Sequence, residues 1–315
     1  MVWVTAAWGA CFVAIGWGLR DAPVLWFAAL RALVAGGALV LLGGAQHRPM
    51  PRSRRSWALI ALLGLVNVTL ALGAMFAGAA GGAKGTAAVL ANAQPLLILL
   101  PAWWLYRERP TRSTTVALFL GLVGLAVVAS AAGGGAGAGL SLGAAAATTT
   151  GTLLFRRLGG VDVMVASGWH LIIGGTALAA WAAVTEGAPQ IAWTARFVFS
   201  LAFLGLVGTA ATSVAWFTEV RHARLDQLAA WTLLVPVVGL GLAAVVVGER
   251  PTGRMSVGLA VVLVAMWIAQ RPGGMSRRSP ADRPDVAPIL QGEASARGGG
   301  PARDTCAGPA QKDAA

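Results

Sequence analysis

The sequence contains one apolar stretch twice, and this duplication constrains the fold more than any other feature. Residues 85–110 align with residues 226–251, position for position and without a gap. Each copy is long enough to cross a bilayer, which takes about 20 residues of helix. Each copy also has a proline near its middle and ends in Glu-Arg-Pro, so the alignment pairs Pro95 with Pro236. A duplicated apolar segment with a central proline predicts a membrane protein built from two related halves.

The two prolines mark the predicted helix breaks. Proline inside a helix removes one backbone hydrogen bond and clashes with the carbonyl four residues earlier. Because lipid offers no hydrogen-bonding partner, an interrupted helix is tolerated only beside protein or a water-filled cavity. Matching breaks in two halves therefore favour a transporter whose binding site lies near Pro95 and Pro236.

The amino-acid composition excludes an ordinary soluble fold. Hydrophobic residues make up 57% of the 315 residues and charged residues only 11%, against about 25% charged residues in soluble domains. The net charge of +12 comes largely from short arginine clusters between apolar runs, which are typical of membrane loops rather than of nucleic-acid binding. The apolar runs predict an all-α integral membrane protein with ten transmembrane spans, at residues 2–19, 23–44, 57–80, 85–106, 113–132, 140–155, 161–184, 197–220, 226–248 and 255–269.

The distribution of basic residues predicts which loops are cytoplasmic. With the N-terminus inside, the inner segments hold 14 basic residues and the outer segments five, as the positive-inside rule requires, and both termini are then cytoplasmic. Because each half has an odd number of spans, the second half enters the membrane from the opposite side. This predicts two inverted five-helix repeats at residues 1–132 and 139–270. Residues 271–315 are rich in proline and glycine, lack aromatic residues and are predicted to form a disordered cytoplasmic tail.

An ordered set of motifs resembles the EamA family of the drug/metabolite transporter superfamily. The set comprises Trp8-Gly9, Pro23, Arg31, Asn92-x-x-Pro95, Gly248-Glu249-Arg250-Pro251 and Gly258. The chain departs from the family pattern at Tyr106-Arg107, where the second copy has Val247-Gly248, and at Ala117, where the family has glycine. The resemblance covers residues 1–270. It implies ten helices in an inverted repeat around a central cavity, and export or uptake of small metabolites, amino acids or drugs.

Three ionisable side chains are candidates for a role in transport. Arg31 lies well inside the second span, where a charge costs about 2.5–3.5 kcal/mol. It is predicted to bind an anionic group or a buried acid; the alternative is that it reaches the interface by snorkelling. His170 lies at the corresponding place in the second half and is a candidate for substrate binding and proton coupling, or else a neutral histidine hydrogen-bonded between helices. Glu219 is a second proton-coupling candidate, or else a loop acid paired with Arg221 and Arg224.

Uncharged side chains complete the predicted substrate site. Asn92 and Gln94 flank the break at Pro95, where amide groups and open backbone can bind a polar substrate. The alternative for both is an interhelical hydrogen bond, worth about 0.6 kcal/mol. Trp8 and Trp231 are the predicted aromatic lining, able to stack on a planar or cationic substrate.

The sequence favours a secondary transporter of the cytoplasmic membrane that works by alternating access. It is expected to export small metabolites, amino acids or drugs, with proton coupling left open. The alternatives are a channel, for which no ring of like charge is visible, and an integral-membrane enzyme, which would need clustered His, Asp or Glu. No metal or other cofactor is expected, since the two cysteines and three histidines are dispersed. The expected partners are a small-molecule substrate and the lipid bilayer, with no nucleic acid; a homodimer is left open.

Overall fold

The apolar runs form helices throughout the part of the chain that the structure describes. The structure is a computed structural model, and it describes residues 1–80, 94–97, 112–131, 138–224, 228, 231–232, 234–242, 245 and 253–269. No strand occurs among these residues. The helices in chain order are α1 (Val2–Gly18), α2 (Val24–Ala45), α3 (Arg54–Gly64), α4 (Ala71–Ala80), α5 (Gln94–Leu97), α6 (Arg112–Ala131), α7 (Ala138–Arg156), α8 (Val163–Thr185), α9 (Ala195–Ala202), α10 (Thr212–His222), α11 (Leu234–Leu242) and α12 (Gly253–Ala269).

Four helical segments are long and apolar enough to cross a membrane. They coincide with the predicted second, third, seventh and eighth spans, and are Val24–Ala45, Arg54–Ala77, Val163–Thr185 and Ala195–His222. Shorter apolar helices fall in the predicted first, fifth and tenth spans. These spans are thus helical, and a helix satisfies its backbone hydrogen-bonding groups within the span, as the membrane interior demands. Residues 81–93, 98–111 and 246–252, which include most of the predicted fourth span, lie outside the described residues, as does the predicted tail at 271–315.

Two π-helical segments interrupt the third and the eighth spans. Leu65–Leu70 (π1) joins α3 to α4, and Phe203–Ala211 (π2) joins α9 to α10. The two segments occupy matching places in the halves, because the eighth span is the third of the second half. The sequence predicts irregular backbone at the two prolines and gives no indication of these segments. Pro95 lies within α5 and Pro236 within α11.

Helices of the two halves pack in a pattern that is repeated when the halves are exchanged. α2 packs against α8, and α6 packs against α12. The other contacts come in matched sets: α1 packs against π2 as α7 packs against π1, and α1 packs against α11 as α7 packs against α5. This exchange of partners is what a duplicated chain with interlocked halves produces.

α2 and α8 run antiparallel, because the start of each helix lies beside the end of the other. Where α2 starts, the backbone N–H groups of Leu25 and Trp26 donate to the Glu186 carboxylate at 2.8 and 3.0 Å. A carboxylate placed there satisfies N–H groups that have no partner inside the helix and complements the helix dipole. Gly187 follows with a φ of 74°, a left-handed conformation that ends a helix and that glycine adopts without strain.

Asp162 caps the start of α8, at the opposite end of the α2–α8 pair. Its carboxylate accepts hydrogen bonds from the backbone N–H groups of Met164 and Val165 at the start of α8. It also accepts a 2.8 Å hydrogen bond from Arg48 Nη1 beyond the end of α2. Partial burial by itself raises the pKa of Asp162, but the hydrogen bonds from Arg48 and from the backbone hold it below its ordinary value of 3.8. Asp162 is therefore ionised at physiological pH and links the two helices there.

The two ends of the α2–α8 pair carry different polar contacts, formed by two different sets of residues. At the end capped by Asp162, Arg156 donates a hydrogen bond to the Val220 carbonyl oxygen near the end of α10, and Arg221 donates one to the Leu158 carbonyl oxygen after α7. At the opposite end, Asp21 accepts hydrogen bonds from Arg196 at 2.8 and 3.0 Å, and these hold the pKa of the Asp21 carboxyl below its ordinary value of 3.8. The first group belongs to the segments predicted to be cytoplasmic, and the second to those predicted to lie outside.

Candidate functional site

Arg31 lies in the middle of α2 and is enclosed by the protein. Only 9% of its surface is exposed, and its Nε donates a 2.9 Å hydrogen bond to Oγ1 of Thr209 in π2. The side chain therefore extends from the second span to the eighth, rather than along its own helix to an end. This position inside the bundle differs from the interfacial one that snorkelling requires.

The guanidinium of Arg31 has no carboxylate within ion-pair distance in the part of the chain that the structure describes. The described ion pairs, Arg48–Asp162 and Arg196–Asp21, lie at the two ends of the α2–α8 pair. A charge in a membrane span costs about 2.5–3.5 kcal/mol on insertion scales. A guanidinium also presents a planar fork of donors that matches both oxygens of a carboxylate. The site can therefore hold an anionic group.

His170 is buried in the middle of α8 with one ring nitrogen unpaired. It is 1% exposed, and its Nδ1 lies 3.0 Å from the Ala166 carbonyl oxygen. Because a carbonyl only accepts, Nδ1 carries the proton and Nε2 holds the lone pair. Nε2 is buried and has no hydrogen-bond partner among the described residues, and the ring packs edge-on against Phe217 with centroids 5.6 Å apart. The neutral imidazole is the form that these surroundings accommodate.

Arg31 and His170 occupy corresponding positions in the two halves. A Cβ atom added to Gly64 in the third span would lie 2.5 Å from the His170 carbonyl oxygen. A Cβ atom added to Gly205 in the eighth span would lie 3.6 Å from the Arg31 carbonyl oxygen. The backbone of each residue thus lies beside a glycine of a neighbouring span. The residue at this position is charged in the first half, where it is Arg31, and polar in the second half, where it is His170.

A cluster of aromatic rings lies toward the end of the bundle that Asp162 caps. Trp8 of α1 packs against Trp216 of α10 with ring centroids 5.2 Å apart. Phe155 stacks on Phe217 at 3.9 Å. Trp8 is half-buried, whereas Trp216 is 6% exposed. Trp231 is helical and half-buried.

The structure describes one of the two amide side chains predicted to flank the break at Pro95. Gln94 Nε2 donates a 3.3 Å hydrogen bond to Thr152 Oγ1, which links α5 to α7. This is the interhelical contact that was the alternative to a cavity role. Asn92 lies outside the described residues.

Glu219 lies on an exposed face of α10, near the end of the eighth span. Within the described residues it forms no ion pair. Arg221, one of the two arginines in the alternative of a paired loop acid, donates through Nη2 to the Leu158 carbonyl oxygen at 2.9 Å, and its guanidinium lies 5.0 Å from the Phe155 ring. The carboxylate of Glu219 is thus exposed and has no described ion-pair partner, although Phe217, two residues earlier in α10, packs against His170 of α8.

Sequence reasoning missed Thr209, the residue that contacts Arg31. Thr209 lies in a run of small residues that hydropathy treats as uniformly apolar. The duplication offers only a near match, because the alignment of the two halves pairs Thr209 with Val68, and Thr69 is the next residue of π1. Thr69 Oγ1 donates a 2.9 Å hydrogen bond to the Gly174 carbonyl oxygen of α8. Thr69 and Thr209 thus each contribute a hydrogen bond between the halves without occupying equivalent positions of the repeat.

The fold and the site together define a multi-pass α-helical membrane protein with two interlocked halves. No group of three His, Cys, Asp or Glu side chains suited to a metal ion occurs among the described residues. Residues 1–130 and 135–270 each match the EamA-like transporter family. The chain therefore belongs to this family, and it is a membrane transporter of small molecules.

Similar proteins span nearly the same length of chain. The uncharacterized transporter sll0355 of Synechocystis sp. is 27% identical over 83% of this chain and 86% of its own. A probable amino-acid metabolite efflux pump of Salmonella typhimurium is 26% identical over 84% of this chain and 91% of its own. A solved crystal structure matches the fold with a TM-score of 0.74 at 18% identity, covering 85% of this chain and 94% of that chain.

Proposed function

We propose that the chain is a secondary transporter that exports small carboxylate-bearing metabolites, amino acids foremost, by alternating access. The observation that carries the proposal is the buried guanidinium of Arg31, which has no carboxylate partner among the described residues. A charge kept in the bundle at this cost indicates a ligand that compensates it. The carboxylate of an amino acid is such a ligand.

Antiparallel packing of equivalent helices supports alternating access. α2 and α8 cross inside the bundle and are linked at both ends, through Glu186 and through Asp162. This pair provides an axis about which the remaining helices of each half rock. π1 and π2 pack against the axis in matching places, and π turns inside α-helices are frequent at functional sites. Rocking about such a pair opens the region of Arg31 to each side in turn.

The proposal also gives the remaining predicted site residues roles in binding the rest of the substrate. We assign Trp8 and Trp231 to contact the apolar or planar part of the substrate, and Asn92 and Gln94 to contact polar groups, for which Gln94 exchanges its hydrogen bond to Thr152 Oγ1 for one to the substrate. The Salmonella relative is named a probable amino-acid metabolite efflux pump, which is compatible with this class of substrate and with export.

Proton coupling is a further part of the proposal, with His170 as the candidate. Its Nε2 lone pair is buried without a partner among the described residues, so it can take up a proton when rocking opens a path to it. Glu219 is the alternative candidate, but its exposed position at a span end couples it less directly to the movement of α2 and α8.

Efflux from proteoliposomes tests the function. Vesicles would be loaded with a mixture of the common L-amino acids and their carboxamides, and efflux followed by mass spectrometry with and without a pH gradient. We expect saturable efflux of a subset of amino acids, faster than that of the matching carboxamides and absent from protein-free vesicles. Proton coupling predicts that the gradient changes this rate. Folded, reconstituted protein that shows no preference for any carboxylate over its carboxamide would overturn the proposal.

The proposed orientation places both termini in the cytoplasm and the Asp162 end of the bundle inside. Single cysteines at Gln190 and Arg157, which are both exposed, would be introduced into a variant in which Cys11 and Cys306 are replaced by serine. A membrane-impermeant maleimide added to intact cells is expected to label Gln190→Cys and to reach Arg157→Cys only after permeabilisation. The opposite labelling pattern would reverse the orientation, and equal labelling of both sites would contradict a protein that crosses the membrane between them.

A further inference from the structure

We propose that Thr209 is a positioning residue that fixes the Arg31 guanidinium, so that a substrate carboxylate docks end-on against Nη1 and Nη2. This inference rests on the proposed function, because it specifies how the same site selects its substrate. It gives π2, the π segment of the eighth span, a role in selecting the substrate. Alternating access by itself does not require that role.

The direction of each hydrogen bond at Thr209 follows from its single hydroxyl proton. Thr209 Oγ1 lies 2.7 Å from the Leu204 carbonyl oxygen and 2.9 Å from Arg31 Nε. A carbonyl oxygen only accepts and a guanidinium only donates. The hydroxyl therefore donates to Leu204 and accepts from Arg31. Leu204 and Arg31 are both buried in the bundle, so the loss of either hydrogen bond would leave a buried polar group unpaired, which is costly.

The π segment is what makes this arrangement available. Thr209 reaches the carbonyl five residues earlier, the spacing of a π turn. Thr212 in the following α-helix instead donates to the carbonyls of Gly208 and Thr209, four and three residues earlier, as threonines in α-helices do. The wider turn aims the Thr209 hydroxyl oxygen across to α2. Gly205 allows the close approach, because a Cβ atom there would lie 2.8 Å from Val34 Cγ1 of α2.

Because Thr209 holds Nε, the edge of the guanidinium formed by Nη1 and Nη2 remains for the substrate. A carboxylate pairs with arginine either side-on, through Nε and one Nη, or end-on, through both Nη nitrogens. Thr209 occupies Nε, so only the end-on geometry uses two free donors. Hydrogen bonds from the Nη nitrogens to described residues are not present. A carboxamide has one acceptor oxygen in place of two, so this geometry selects the carboxylate.

The test compares three single variants in proteoliposomes loaded with the amino acids and carboxamides described above. Thr209→Val removes the hydroxyl while keeping the branched shape, and Thr209→Ser keeps the hydroxyl. Thr212→Val makes the same chemical change one turn away at a buried threonine whose described hydrogen bonds go to the carbonyls of Gly208 and Thr209 and not to Arg31. The readout is the ratio of carboxylate to carboxamide efflux at low substrate concentration, together with the maximal rate.

We expect Thr209→Val to lower the carboxylate-to-carboxamide ratio about 10-fold, the scale of one hydrogen bond to a charged group, mainly through KM. Thr209→Ser and Thr212→Val are expected to keep the ratio within about twofold of wild type. If Thr209→Val does not fold, Thr209→Ala serves in its place, and the recovery of the ratio by Thr209→Ser is still required.

The possible outcomes separate the two proposals. A ratio that Arg31→Met abolishes but that Thr209→Val and Thr209→Ala leave unchanged would overturn the positioning role and keep the proposed function. A fall in maximal rate with an unchanged ratio would show that Thr209 is only structural and would also overturn it. Wild-type protein with no preference for carboxylates would overturn both.

Discussion

Replacing Arg31 by methionine is expected to lower the efficiency of amino-acid efflux by at least about 100-fold, the range seen when one partner of a buried charge pair is removed. Methionine keeps an unbranched stem of similar length but carries no charge, so packing against π2 is largely retained. The guanidinium is the one buried cation on α2 and has Thr209 as its described hydrogen-bond partner. Efflux rates over a range of internal amino-acid concentrations would measure the loss.

The same variant is expected to be at least as stable as wild type. Burying an arginine in a span costs about 2.5–3.5 kcal/mol on insertion scales, and Arg31→Met removes that cost together with one hydrogen bond. Thermal unfolding in detergent would therefore show an equal or higher midpoint, which separates loss of function from loss of fold. Arg20→Met serves as the control, because Arg20 is exposed in the loop before α2, and it should leave both efflux and stability near wild type. Unchanged efflux in a folded Arg31→Met protein would contradict the assignment of the site.

The duplication carries much of what could be predicted about the fold and the site. Aligning the second span of each half places Arg31 opposite His170, and in the structure the backbone of each lies beside a glycine of a neighbouring span. The burial of Arg31 follows from the same reasoning, since a charge in the middle of a span avoids lipid. Spans two, three, seven and eight also lie where the apolar runs indicate. Periodicity and charge suffice here because lipid imposes one simple rule on every helix.

The π segments and their contacts could not be predicted in this way. Residues in π1 and π2 have the composition of an ordinary apolar helix, and a π turn differs from an α turn only in which carbonyl each N–H group meets. That choice depends on the neighbouring helix, which a single sequence does not specify. Sequence reasoning placed the irregular backbone at Pro95 and Pro236 because proline is the one residue whose effect is local. Thr209 escaped notice for the same reason, since its partner Arg31 is 178 residues away.

Glycines at the crossing of α2 and α8 decide how closely the halves approach. A Cβ atom added to Gly36 would lie 2.8 Å from the Ile172 backbone nitrogen and 3.0 Å from the Gly168 carbonyl oxygen. These are backbone atoms of α8, so they cannot give way by a side-chain rotation. Small residues at such crossings are common in membrane helices, because close backbone packing replaces the hydrophobic effect there.

Gly36→Ala is therefore expected to destabilise the protein by about 1–3 kcal/mol, the usual cost of overpacking a well-filled core. The neighbouring Gly37→Ala is the matched control, because a Cβ atom there would meet nothing within 4 Å. It should stabilise the helix by up to about 1 kcal/mol, since alanine is the better helix former. Thermal unfolding of both variants in the same detergent would measure the difference. Equal midpoints for the two variants would mean that α2 and α8 do not cross at Gly36, and the axis proposed for alternating access would have to lie elsewhere. A lower midpoint for Gly36→Ala alone would tie the stability of the whole bundle to one backbone contact between its halves.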